Sequence, residues 1–228
     1  MKNLLIYISP EKRFNVENEK YIKIQIENSL DYWRPEDIML VTNFPYEYMG
    51  VKSLEVPDEL YSTTSICVIK INVIIYLLDH KLLNEPAWFH DTEAWQIAPF
   101  DLQLEKDLVL TDYGWDLKWN GGSMFFKPSA LDMFKWWKFS INEIHKDDEK
   151  ALMLLTERNF NNMNERIQRL NVTYNLGKRH RQENYYNADK PLKVVHFHPY
   201  REGLLEKFRP WLPKKLYHLM HENISDRS

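Results

Sequence analysis

The sequence predicts a single α/β domain with a mainly parallel central sheet and helices on both faces. Three observations carry this reading. Short apolar runs alternate with stretches of helical period through the first half of the chain. Those runs are apolar throughout, not alternating, which is the pattern of strands buried on both faces. No repeat, low-complexity tract or linker divides the 228 residues. A chain of that length buries roughly 70% of its unfolded surface, so one large core suffices without staples.

The elements follow in order. Leu4 to Ile8 is a short apolar strand. Glu17 to Leu30 carries apolar residues near helical spacing. Asp37-Ile38-Met39-Leu40-Val41-Thr42 is a second buried strand and Val51 to Val56 a third. Ser62-Thr63-Thr64-Ser65 offers caps to an apolar helix that reaches about His80. Ala87-Trp88-Phe89-His90-Asp91 reads as a strand ending in an acidic turn. Beyond it, Leu108 to Thr111 and Ser123 to Phe126 are strand-like. Ala130 to Ile144 and Glu149 to Arg158 are helical by period. Lys193-Val194-Val195-His196-Phe197 is a late strand, and Tyr200 to His221 becomes helical in its last part. In sheets of this class, ligands collect beyond the carboxyl ends of the strands.

Composition narrows the function. Hydrophobic residues make up 44% and charged residues 28%, which excludes a disordered chain, a collagen and a membrane bundle. A net charge of −3 argues against a nucleic-acid binder that works by neutralising phosphates. The one cysteine, Cys67, excludes an intrachain disulfide and a cysteine-based zinc site. Its place in Ile66-Cys67-Val68-Ile69 predicts a buried structural thiol. The apolar run from Met1 to Ile8 is too short for a signal peptide. The run from Ile66 to Leu78, interrupted by Lys70 and Asn72, is too short to cross a bilayer. The expectation is a soluble, cytoplasmic protein with no transmembrane segment.

Four clusters have residue types suited to chemistry, and each also has a plainer reading. Asp91 and Glu93 directly follow an apolar strand. Two carboxylates at a strand end hold a hard divalent cation and leave positions for phosphate oxygens, or they form a solvated turn. Gly121 and Gly122, two of only 6 glycines, stand together before an apolar strand. They permit close approach of a ligand or backbone, or they make a hairpin turn. The neighbouring Asn120 amide suits sugar hydroxyls. Asp147, Asp148 and Glu149 stand where acids cap a helix and meet its dipole. His196 and His198 share one face of a late strand, as metal ligands or as a hydrogen-bonded pair. A basic run, Lys178-Arg179-His180-Arg181, is a solvated loop or an anion contact. Tryptophans concentrate between Trp88 and Trp137, and Trp136-Trp137 within a helical pattern reads as core.

In joint order and spacing, Asp37 to Phe44, Phe89-His90-Asp91, Trp119-Asn120-Gly121-Gly122 and His196-Phe197-His198-Pro199-Tyr200 resemble nucleotide-sugar glycosyltransferases of the GT-A fold. The closest likeness is to the small glycosyltransferases of large algal viruses, and it extends from about Leu4 to Tyr200. The resemblance implies a metal-dependent hexosyl- or deoxyhexosyltransferase. It would use Mn²⁺ or Mg²⁺ and move a sugar from a UDP-sugar to a glycan or glycoprotein acceptor, in the host cytoplasm if viral.

It also implies roles and regions. Asp91 and Glu93 match the Asp-x-Asp metal motif, with Glu in the second place, and His196 matches a late histidine that completes the site. Lys70 matches a basic residue facing the diphosphate. Ile8 and Ser9 would lie against the base, Asn120, Gly121 and Gly122 beside the transferred sugar. Asn43, His90 and His198 complete the donor-binding set. Asp148 and Glu149 would meet the sugar or the acceptor hydroxyl. Within one domain, 1–228, the nucleotide-binding half spans about 1–95, the acceptor half about 96–200 and a helical tail about 200–228. A metal-dependent nuclease or phosphoesterase using Asp91, Glu93, Glu149 and Lys150 is one rival. A non-catalytic nucleotide-sugar-binding protein of the same fold is the other.

Overall fold

The computed structural model describes residues 1–63, 65–113, 119–177, 182–201 and 203–225. Its strands begin with β1 (Lys2–Tyr7), β2 (Ile38–Thr42), β3 (Glu47–Tyr48), β4 (Val51–Glu55), β5 (Ala87–His90) and β6 (Ala94–Gln96). They continue with β7 (Leu108–Asp112), β8 (Trp119–Phe126), β9 (Ile167–Leu170), β10 (Leu176–Gly177) and β11 (Val194–His196). The helices are α1 (Val16–Ser29), α2 (Cys67–Asp79), α3 (Leu131–Glu143), α4 (Asp148–Glu157), α5 (Met163–Arg166), α6 (Gln182–Asn187), α7 (Leu204–Phe208) and α8 (Lys214–Ser225).

Among the described residues, eight strands form one sheet in the order β3-β4-β2-β1-β5-β8-β7-β9. A second sheet has the order β10-β11-β6. The stretch β4-β2-β1-β5 is parallel; α1 crosses from β1 to β2 and α2 from β4 to β5, while β2 reaches β4 through the short connection that holds β3. Beyond β5 the sheet turns mixed, so it is mainly parallel, as expected, but not purely so, and β7 and β9 pair in parallel again at the far edge. β8 runs antiparallel to both β5 and β7. A parallel neighbour ordinarily needs a crossover of about a dozen residues or more, usually a helix. The sequence has no helical period between the apolar runs of β7 and β8.

Both faces of the large sheet are covered, as expected. α2, α3 and α4 bury one face through residues such as Ile71, Leu77, Phe134 and Leu152. Ile22 and Ile26 of α1 pack the other face against Leu5 and Leu40. A separate apolar cluster holds the small sheet, joining Trp95, Val195 and Phe197 to Phe208, Leu216 and Met220 near the C-terminus. No helix among the described residues is long and apolar enough to cross a membrane.

Three local expectations need correction. β8 starts at Trp119, so Asn120, Gly121 and Gly122 lie inside a strand and not in a turn. The register with β7 jumps there: Leu110 faces Met124, while Thr111 faces Asn120. Residues 121–123 therefore have no partner on β7, and this bulge re-aims the strand. The position before α2 is Ile66, with no side-chain cap, while the Ser62 hydroxyl accepts from the Ser65 amide in the preceding turn. Thr64 lies outside the described residues. Cys67 is exposed, because the buried face of α2 begins one residue later with Val68 and Ile69.

Candidate active site

The period of two along β5 sorts its side chains. Trp88 and His90 stack on each other with ring centroids 3.9 Å apart. Phe89 takes the opposite face, where the Lys70 ammonium sits 5.6 Å from its ring centroid. The chain then turns. The Asp91 amide donates to the Gly122 carbonyl at 2.9 Å, and the Ala94 amide to the Asp91 carbonyl at 2.9 Å. The Phe197 amide donates to the Glu93 carbonyl at 3.0 Å, which pins the turn to the end of β11. In that register His196 lies opposite Ala94.

Asp91, Glu93 and His196 each point one ligand atom into a common space, all within 4.8 Å of one another. His196 Nε2 is 4.0 Å from Asp91 Oδ2 and 4.0 Å from Glu93 Oε1. His198 Nε2 lies 3.4 Å from Glu93 Oε1. Burial works against the Glu93 charge, but His196 and His198 outweigh it and bring its carboxyl down to about 2. The two acids differ, since desolvation, against the pull of Lys70 and with Glu93 alongside, pushes Asp91 up. Two carboxylates and one imidazole suit a divalent cation of the Mn²⁺ type, and the strand-end turn leaves its outer side open.

Lys70 reaches the site from α2. Its ammonium lies 2.8 Å from Asp148 Oδ2 and 3.8 Å from Asp91 Oδ1, and it donates to the Gly121 carbonyl at 3.1 Å. Burial disfavours its charge, yet Asp148 and Asp91 hold the ammonium above its ordinary range. Burial likewise opposes the Asp148 carboxylate, and Lys70 holds it below its usual range. Asp147, not Asp148, caps α4: its side chain accepts from the Lys150 amide at 3.0 Å. Asp148 lies in the first turn of α4, where its carboxylate meets backbone amides as well as Lys70. Glu149 accepts from the hydroxyl of Tyr113 and also faces the cleft.

These groups line a cavity of about 320 Å³, together with Asn120, Gly121 and Gly122. A second cavity of about 340 Å³ adjoins it, with Ile6, Ile8, Ile66 and Ile69 in its wall. Cys67, Lys70, Asp91 and Glu93 border both, so the two form one cleft.

Not every expected residue faces this cleft. Ser9 and Asn43 line neither cavity. The Ser9 amide donates to Asn43 Oδ1 at 2.9 Å, and Asn43 Nδ2 donates to the Ser9 carbonyl and Asp58 Oδ1 at 2.8 Å each. That clamp ties the turn after β1 to the end of β2. His90 borders the second cavity, but its imidazole is buried and stacked on Trp88. Its Nε2 lies 2.8 Å from Asn3 Oδ1 and its Nδ1 3.1 Å from the Asp91 carbonyl. His90 thus supports the Asp91 turn from behind. The run Lys178-Arg179-His180-Arg181 lies outside the described residues.

Burial drops the His90 pKa from 6.5 to about 3. Below pH 6.5 the unfolded chain binds a proton that the folded one refuses. Stability is then full above that pH and falls by about 1.4 kcal/mol per pH unit on acidification, until His90 protonates in place. Urea titrations of metal-free protein between pH 6.5 and 4.5 should show this slope. His90→Gln should flatten it, and an unchanged slope would assign the acid sensitivity elsewhere.

Sequence reasoning missed Tyr113, Arg201 and the exposed Cys67, all of which line the cleft. A signal for Tyr113 existed. β5 and β7 are both antiparallel to β8, hence parallel to each other, so their carboxyl ends share one edge of the sheet. Tyr113 follows β7 as Asp91 follows β5.

No protein-family model matches the sequence, and no curated protein matches it. Solved structures do. One is a glycosyltransferase involved in glycosylation of the major capsid of PBCV-1, at 14% identity and a TM-score of 0.57, covering 85% of this chain and 93% of that one. Another is the galactosyltransferase LgtC in complex with donor and acceptor sugar analogues, at 12% identity and a TM-score of 0.61, covering 97% and 96%. A third is mouse xyloside xylosyltransferase 1, at 10% identity and a TM-score of 0.54, covering 86% and 97%. The chain has the fold of the GT-A glycosyltransferases.

Proposed function

We propose that this chain is a metal-dependent glycosyltransferase that moves a hexosyl or deoxyhexosyl unit from a UDP-sugar to a glycan or glycoprotein acceptor. One observation carries the reading. A strand-end triad of Asp91, Glu93 and His196 opens into the same cleft as the Lys70–Asp148 pair, on a fold shared with glycosyltransferases. Mn²⁺ or Mg²⁺, held by the triad, would supply Lewis-acid charge at the diphosphate.

The chain's own residues do the rest. Lys70 adds fixed positive charge at the cleft floor, where negative charge grows on the leaving phosphate. Asp148 and Glu149 flank the position of the transferred sugar. The hydrogen bond from Tyr113 orients Glu149 toward the cleft, where a carboxylate can take the acceptor hydroxyl proton. The aliphatic walls of the adjoining cavity, Ile8 among them, fit the flat face of a base. Lys150, the lysine offered for the phosphoesterase alternative, is exposed on α4 and lines neither cavity.

Thermal unfolding with UDP and Mn²⁺ tests the proposal. At a ligand concentration of 100 times Kd, wild-type protein should gain about 2.7 kcal/mol, and Asp91→Ala should gain nothing. Stabilisation that ignores Mn²⁺, or that survives in the variant, refutes the metal site. A screen of UDP-sugars for metal-dependent UDP release then identifies the donor.

A further inference from the structure

Asn175 is fully buried behind the cleft, between the turn Val172–Tyr174 and β10. Its Oδ1 lies 3.1 Å from His196 Nδ1. Its Nδ2 is buried with no hydrogen-bond partner among the described residues. An orphaned buried donor costs about 1–3 kcal/mol. A leucine of similar volume would avoid that cost. With Oδ1 turned toward the ring the amide accepts there, which places the proton of His196 on Nδ1. The lone pair of Nε2 is then left facing Asp91 and Glu93, the form in which imidazole ligates a metal. The packing adds direction, because β10 pairs Gly177 with His196 and holds Asn175 beside the same ring.

We infer that Asn175 is a positioning residue for metal binding: it locks His196 in the Nδ1–H tautomer and fixes the ring so that Nε2 points at Asp91 and Glu93. This rests on the metal reading of the triad. Such outer partners of a ligating histidine typically govern affinity by about 10–100-fold.

The test uses the full chain, with Asn175→Leu and Asn175→Asp. In metal-free protein, ¹⁵N-edited imidazole NMR should show His196 as the Nδ1–H tautomer in wild type and in Asn175→Asp. Asn175→Leu should shift it toward Nε2–H. Thermal unfolding should find Asn175→Leu at least as stable as wild type. Mn²⁺ titration followed by electron paramagnetic resonance should find its affinity lowered about 10–100-fold, with Asn175→Asp close to wild type. A wild-type tautomer together with wild-type Mn²⁺ affinity in Asn175→Leu overturns the inference alone, provided Asp91→Asn has lost that affinity. Failure of wild-type protein to bind Mn²⁺ instead overturns the triad reading beneath it. If Asn175→Leu unfolds, Asn175→Asp still decides the matter, since its carboxylate preserves the acceptor and must preserve the tautomer.

Discussion

Lys70→Met is expected to destabilise the fold by about 3–5 kcal/mol, the usual cost of stripping one partner from a buried ion pair. The side chains of Lys70 and Asp148 are only 14% and 11% exposed, so water does little to screen the loss. Asp91, 3.8 Å from the same ammonium, loses its counter-charge too. For a chain of this length each kcal/mol shifts Tm by roughly 2–4 °C, so a fall on the order of 10 °C should be visible. Turnover should fall by about 10²-fold or more, because fixed charge at the cleft floor goes with it. The double variant Lys70→Met/Asp148→Leu separates charge from packing. Removing both charges should return much of the stability while leaving turnover low. Equal Tm values for the single and double variants would show that the unpaired Asp148 carboxylate is not what destabilises Lys70→Met.

Gly122→Ala should be nearly as damaging to function, for a steric reason. A Cβ there would stand 2.3 Å from His196 Cε1 and 2.8 Å from Asp91 Oδ2. Both neighbours belong to the triad, and neither gives way easily. His196 is held by Asn175 at 3.1 Å, and the Asp91 amide is bonded to the carbonyl of Gly122 itself. The expected result is a loss of about 1–3 kcal/mol in stability from overpacking. Mn²⁺ affinity should fall much more sharply, by about 10²-fold or more. Gly121→Ala provides the graded comparison, since its Cβ would approach Asp148 Oδ2 at a milder 3.2 Å. Calorimetric titration with Mn²⁺ decides. Equal affinities for wild type and Gly122→Ala would place the cation away from His196 and Asp91.

The strands and helices of the first half were legible because each declares itself locally. Leu4, Leu40 and Phe89 sit in uninterrupted apolar runs, and acids directly after a strand mark its carboxyl end. That local grammar also put Asp91 and Glu93 at a strand end. It failed wherever geometry depends on a partner far along the chain. The glycines left a turn and a close approach both open, because nothing local reveals that Asn120 to Gly122 lie within β8, which bulges opposite β7. Cys67 looked buried because composition names a run of apolar residues and not the first face a helix presents. Asn175 carried no signal at all. Its meaning comes from a histidine 21 residues later, and a lone asparagine before a short strand resembles any loop residue.

The small sheet has a consequence for the order in which this chain acquires competence. β6 precedes β11 by far in the sequence, and Trp95 donates to the carbonyl of Phe197 across a separation of 102 residues. Closing so long a loop carries an entropic cost before any contact repays it, which makes such pairings slow and late relative to local ones. β1, β2, β4 and β5 with their crossover helices can assemble while synthesis continues, and they present Asp91 and Glu93 early. His196 and Asn175 join only when the last third of the chain has emerged and docked. An incomplete product can therefore hold the two acids but not the imidazole of the triad.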